Sequence, residues 1–236
     1  MALPKLMHPT FELTIPSTKQ KVTFRPFLVK EEKLLLMAKQ SGEQQDIINV
    51  VQQVIVNCDV EEVLNPKELA SFDLEYLFLQ LRAKSIGEAI EITYVDPEDE
   101  KTYDFSILVD DIKVKENDEH NRVIQLSDTS GIVMRYPSAR LMTDVVSQDD
   151  VADILFFMIR GCMDHYFEED HIHYFKDSKP EEVDVFIESL PTNVLKSFEK
   201  FFDTMPKLYH KISYTNEKGT EREIEFKSIE DFFMLG

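Results

Sequence analysis

The sequence predicts an α+β fold: a helical core with N- and C-terminal β-hairpins and a β-rich middle segment. Three observations carry this prediction. Apolar and polar residues alternate with period two on both sides of a polar turn near each end of the chain. Amphipathic helical stripes follow the first of these hairpins and precede the last. Parallel strand–helix–strand alternation is missing, so a doubly wound sheet is not expected.

The first hairpin is "FELTIPSTKQKVTFRPF", residues 11–27, turning at "PSTKQ". Residues 28–41 then switch to helical spacing, with Leu28, Leu35, Leu36 and Lys39 around the charged turn "KEEK". "QQDIINVVQQVIVNC" places Ile47, Ile48, Val51, Val54 and Ile55 on one core-facing stripe. In "NPKELASFDLEYLFLQLRAKS", Pro66 can open a third helix whose buried stripe is Leu74, Leu77, Phe78 and Leu81.

Beyond Gly87 the pattern is that of strands. "EAIEITYV", "KTYDFSILV", "DIKVKE" and "RVIQLSD" alternate between the polar connections "DPEDE" and "ENDEHN". Helices return with "SQDDVADILFFMIRGCMDHYF", where Ser147 and Asp150 can cap the start. "KPEEVDVFIESL" and "TNVLKSFEKFFDTM" follow as amphipathic helices. Residues 208–226 form the closing hairpin around "NEKGT", which can share a sheet with the first. The expected organisation is 1–87 as hairpin plus helices, 88–146 as an inserted β-rich lobe, and 147–236 packing with 1–87 as one domain.

Charge narrows the function. Forty-five acidic against twenty-six basic residues leave a formal net charge of −19. Nucleic-acid affinity comes mainly from Lys and Arg displacing counterions, so a surface of this sign repels a phosphate backbone. It repels an anionic membrane for the same reason. No apolar run reaches the ~18 residues that would span a bilayer, and the N-terminus lacks a signal-peptide core. The expected location is the cytoplasm of the expressing cell. Cys58 and Cys162 both sit in apolar helical contexts, which favours reduced, buried thiols over a disulfide.

Few segments could carry chemistry. "RAKSIGE" holds one glycine after a helix, whereas a phosphate cradle needs several before one. It reads as a joint, with Gly87 as a left-handed C-terminal cap and Arg82 and Lys84 at the negative helix end. "DHYFEEDHIHYF" gathers His165, His171 and His173 among carboxylates, a set that could bind zinc or iron and support a metal-dependent hydrolase. Against that, no His-Glu-x-x-His motif occurs, and His171 and His173 share a face only if extended. An acidic linker is the favoured reading. Nucleophile elbows are absent, and Asp110–Asp111 and Asp149–Asp150 read as turn and cap residues. No catalytic residue, metal site or cofactor is expected. The apolar surplus lies at "FEKFFDTMPKL" and "IEDFFMLG", which either dock on a partner or cap the chain's own core.

The blocks "FRPFLVKEEKLLLMA", "FDLEYLFLQLRAKSIGE", "DDIKV", "GIVMRYPS" and a closing hairpin followed by "IEDFF" resemble the baseplate hub subunit family of T4-type contractile-tailed bacteriophages. The resemblance runs from about residue 10 to residue 233. It implies a late, non-enzymatic protein that binds other phage tail proteins during baseplate hub assembly. Such a protein acts as an assembly chaperone in the host cytoplasm or as a subunit kept in the virion tail baseplate. Some members carry cysteine pairs in their strand turns; "YVDPEDEKTYDF" and "YTNEKGTERE" carry none, so a metal-stabilised turn is not implied here. The expected partner-binding residues are Phe24, Arg25 and Phe27 in one patch and Phe232, Phe233, Met234 and Leu235 in another.

Overall fold

The computed structural model describes residues 6–145, 150–229 and 231. In chain order the elements are β1 (Phe11–Thr14), β2 (Lys21–Phe24), α1 (Val29–Ser41), α2 (Gln44–Cys58), α3 (Ser71–Ser85), β3 (Ala89–Val95), β4 (Thr102–Leu108), β5 (Lys113–Lys115), β6 (Val123–Gln125) and β7 (Ser130–Met134). They continue with α4 (Ala139–Val145), α5 (Val151–Cys162), β8 (Met163–Glu168), β9 (His171–Tyr174), α6 (Pro180–Glu188), α7 (Thr192–Thr204), β10 (Lys207–Thr215) and β11 (Glu221–Phe226). Among the described residues, helices and small antiparallel sheets are mixed without parallel pairing, which is the α+β class expected.

Contacts divide the chain into two units, residues 1–115 with 207–236, and residues 116–206. The inserted unit therefore begins and ends later than the 88–146 lobe read from the sequence. Packing explains the difference. Strands β3 and β4 alternate so that Ile90, Ile92 and Ile107 join Leu79 and Ala83 of α3 and Leu208 and Phe226 of the closing hairpin in one apolar cluster. Strands β6 and β7 instead pair onward to β8 and β9.

In the first unit, β1 and β2 pair antiparallel, Phe11 opposite Phe24 and Leu13 opposite Val22. Helix α1 ends at Gly42, whose φ of 68° is the left-handed conformation glycine adopts without Cβ strain, and its N–H reaches the Ala38 carbonyl. Helix α2 buries Ile47, Val51, Val54 and Ile55 of the stripe its periodicity marks, leaves Ile48 half-buried, and also buries Cys58. Helix α3 is buried over most of its circumference, including Phe72, Leu74, Leu77, Phe78 and Leu81. Its last turn departs from expectation. The cap is Ile86, whose N–H reaches the Arg82 carbonyl, and Gly87 has φ 155°, far from the compact left-handed turn expected of it. Gly87 leads directly into β3. The terminal hairpins do not share a sheet: β1 and β2 stand as their own pair, and the free edge of β10 is taken by β5, with Lys207 opposite Lys115.

In the second unit a four-stranded sheet runs β6-β7-β8-β9. Its core joins Ile132, Met134, Ile159, Met163, Val183, Phe198 and Phe201. The helix read through residue 167 stops at Cys162, and residues 163–174 form the β8–β9 hairpin instead of an acidic linker. Its turn places Glu169 at φ 52°. Ser147, expected as a cap of α5, lies outside the described residues.

Candidate functional site

A cavity of about 210 Å³ opens in the first unit between α1 and α3, with β3 and residue 229 completing its wall. Its apolar lining comes from Leu35 and Leu36 of α1, Phe78 and Leu79 of α3, Ile90 and Ile229. Leu35 and Phe78 are both buried. Three charged residues also line it, Glu32, Lys39 and Arg82.

Arg82 is the unusual member. Its Nη1 atom is buried and has no hydrogen-bond partner. Burial of the guanidinium works against its charge and lowers its pKa, while the field of Glu32 acts the other way. A buried donor without an acceptor costs the desolvation of that group. Among the described residues the only other buried side-chain polar atom left without a partner is Nε2 of His120. The sequence placed Arg82 at a helix end; that it would line a cavity together with residues of α1 and β3 was not legible there.

The Phe24–Arg25–Phe27 patch points into the protein. Phe24 is fully enclosed. Arg25 donates from Nη2 to Glu31 at 3.0 Å and to the Asn57 carbonyl at 2.6 Å, and from Nη1 to the Pro26 carbonyl at 2.9 Å. Glu31 is completely buried and also accepts the Leu28 N–H at 2.9 Å. Burial opposes ionisation of Glu31, but Arg25 and this N–H outweigh it and hold its carboxyl below the usual range. Phe27 is half-buried, 5.8 Å from the ring of Phe78. The apolar segment at residues 198–202 also turns inward, with Phe198 and Phe201 buried and Phe202 packed on the same cluster. Phe232, Phe233, Met234 and Leu235 lie outside the described residues.

The β8–β9 hairpin separates the three histidines. His165 stands opposite Tyr174, while His173 stands opposite Tyr166 and His171 opposite Glu168. Because side chains alternate along a strand, His165 lies on one face of the hairpin and His171 and His173 on the other. His165 is instead paired with the adjacent Asp164 at 2.7 Å. Among the described residues no group of three or more His, Cys, Asp or Glu is placed to hold a metal ion. The geometry does not assemble the site that a hydrolase would need from these residues. Cys58 and Cys162 are free, buried thiols, pushed by burial up to about 11 and about 12.

Sequence reasoning missed a polar cluster formed by the tips of the β3–β4 and β10–β11 hairpins. Tyr214 donates its hydroxyl to Asp96, Asn216 donates to Glu98 at 2.7 Å, and the Glu217 N–H reaches Asp99 at 3.1 Å. Arg222 lies 3.3 Å from Asp96. "DPEDE" and "NEKGT" each announce a turn, and nothing in either string announces the other. The cluster satisfies its own donors and acceptors, and we read it as a structural clasp.

A family model described as "T4 bacteriophage base plate protein" matches residues 8–234. No curated protein and no solved structure matches the chain.

Proposed function

The chain belongs to the T4 bacteriophage base plate protein family, and from that premise we propose that it works without catalysis, as a baseplate hub subunit or hub assembly chaperone that binds other tail proteins. The observation that carries this reading is the extent of the family match, which takes in both structural units. The physical features agree with a binding role. A net charge of −19 suits an acidic chain that covers basic surface on a partner until assembly. The histidines are divided between faces, and the Phe24–Arg25 patch serves the chain's own packing. Among the described residues no helix is long and apolar enough to cross a membrane.

The expected places of action are the host cytoplasm during assembly and the tail baseplate of the virion. Pull-down from infected cells, compared with the protein content of finished particles, tests the proposal. A hub subunit co-purifies with tail proteins and is found in particles; a chaperone co-purifies and is absent from them. Failure to bind any tail protein removes both.

A further inference from the structure

We propose that His120 is an acid-sensitive latch that closes the two ends of the inserted unit on each other. As a neutral imidazole it ties residues 116–122, where the chain enters that unit, to the end of α7, where the chain leaves it; as an imidazolium it lets them part. The latch is a property of the fold and stands independently of the binding role above. Within residues 116–122 His120 is the one residue that is not exposed. Its ring stacks on Tyr136 at 5.6 Å and lies 5.3 Å from the ring of Phe201 on α7. Its Nδ1 is 3.0 Å from Oγ1 of Thr204, the last residue of α7. A second tie to α7 is the ion pair of Lys200 with Glu119 at 3.1 Å, but both side chains are mostly exposed and such pairs contribute little.

The hydrogen-bond chain fixes the tautomer. Thr204 has one hydroxyl hydrogen and gives it to the Lys200 carbonyl at 2.6 Å, so toward His120 it can only accept. His120 therefore carries its hydrogen on Nδ1 and holds a bare lone pair at Nε2, which is buried and without a partner. A second proton must go to that nitrogen, where it creates a buried, charged N–H with no acceptor. The charged residues near it in sequence and on α7 are Asp118, Glu119, Arg122, Lys200 and Asp203, and none of them bonds Nε2. Glu119 is held by Lys200, and Arg122, which donates from Nε to the Met134 carbonyl at 2.7 Å, carries the same sign as the imidazolium. Tyr136 stacks on the ring and offers Nε2 no acceptor. Burial and Arg122 both act against the charged form. His120 as a whole is half-buried, so a small outward movement returns the ring to water and draws the entering segment with it. That movement uncovers the rings of Tyr136 and Phe201.

The test is hydrogen–deuterium exchange of the full chain, read by mass spectrometry between about pH 7.5 and about pH 5, above the ordinary carboxylate range. Rates are corrected for the intrinsic pH dependence of exchange. A histidine held neutral by the fold stabilises its surroundings fully above the ordinary value of 6.5, and the contribution is lost as pH falls below it. Peptides spanning residues 116–125 and 198–206 should therefore lose protection together below pH 6.5, while those of β3 and β4 keep theirs. His120→Phe keeps an aromatic ring against Tyr136 and Phe201 and removes the titration, so its protection should hold in acid. Protection that stays unchanged in the unaltered chain, or that is lost equally in His120→Phe, overturns the proposal. Should His120→Phe fail to fold, the NMR titration of His120 in the unaltered chain decides. Proton uptake below pH 6.5 that coincides with the loss of protection supports the latch, and uptake at or above 6.5 overturns it.

Discussion

Tyr214 donates its phenolic hydrogen to the carboxylate of Asp96, joining two hairpin tips that lie 118 residues apart in the chain. Asp96 is completely enclosed. That burial opposes its ionisation, but Tyr214, the N–H groups of Glu98 and Asp99, and Arg222 together outweigh it and lower its pKa. The same contact, added to burial, pushes Tyr214 up to about 12.

Tyr214→Phe should remove the clasp's central bond and lower the melting midpoint by about 2–4 °C, read by circular dichroism. Its pH dependence has a defined sign. A carboxyl whose folded pKa lies below its ordinary 3.8 stabilises the fold fully above pH 3.8, and that contribution is lost as pH falls through the folded value. The unaltered chain should therefore lose more stability on acidification below pH 3.8 than Tyr214→Phe does. At the alkaline end, between 10 and about 12, the folded chain retains a tyrosine proton that the unfolded chain releases, so stability falls with rising pH. That fall should be smaller in Tyr214→Phe.

Glu31→Ala should cost about 3–5 kcal/mol in a denaturant titration, because it leaves Arg25 charged and enclosed without its partner. Arg25→Ala should cost a similar amount. Both should retain tail-protein capture under conditions where they remain folded, since Arg25 is committed to Glu31 and Asn57 inside the first unit. Loss of capture by a folded Arg25→Ala variant would return Arg25 to the docking surface.

Gly161 of α5 lies against Leu141 of α4, and a Cβ there would come within 2.3 Å of the leucine side chain. Gly161→Ala should destabilise by roughly 1–3 kcal/mol through overpacking. Combining it with Leu141→Ala should recover part of that loss, a coupling that a double-mutant cycle reads directly.

Adding zinc or EDTA during a thermal melt should leave the midpoint unchanged. The β8–β9 pairing holds His165 on the face opposite His171 and His173, so the three cannot converge on one ion. A reproducible rise with zinc, abolished by His171→Ala, would contradict that arrangement.

Much of the local structure was legible from periodicity. Of the stripe Ile47, Ile48, Val51, Val54 and Ile55, all but the half-buried Ile48 are buried as the spacing requires, and the terminal hairpins turn at "PSTKQ" and "NEKGT". The misreadings share a physical origin. Ile159, Cys162, Met163 and Tyr166 continue a helical spacing, yet the last two belong to a strand. What decides between the periods is a distant partner, Met134 opposite Met163 and Ile132 opposite Tyr166. The extent of the inserted unit depended on the same long-range pairing. Arg82 was visible as a charge at a helix end, but its place on a cavity wall depends on α1 and β3, which line the same cavity. Phe24 and Arg25 looked like a contact patch because apolar and charged residues alternate identically whether they face a partner or a core.

The measurement that bears most directly on the binding role is quantitative capture of tail proteins by the full chain from infected cells. At least one baseplate protein should be captured stoichiometrically by the full chain. A chain that recovers no tail protein, while other baseplate proteins from the same cells recover one another, would contradict it.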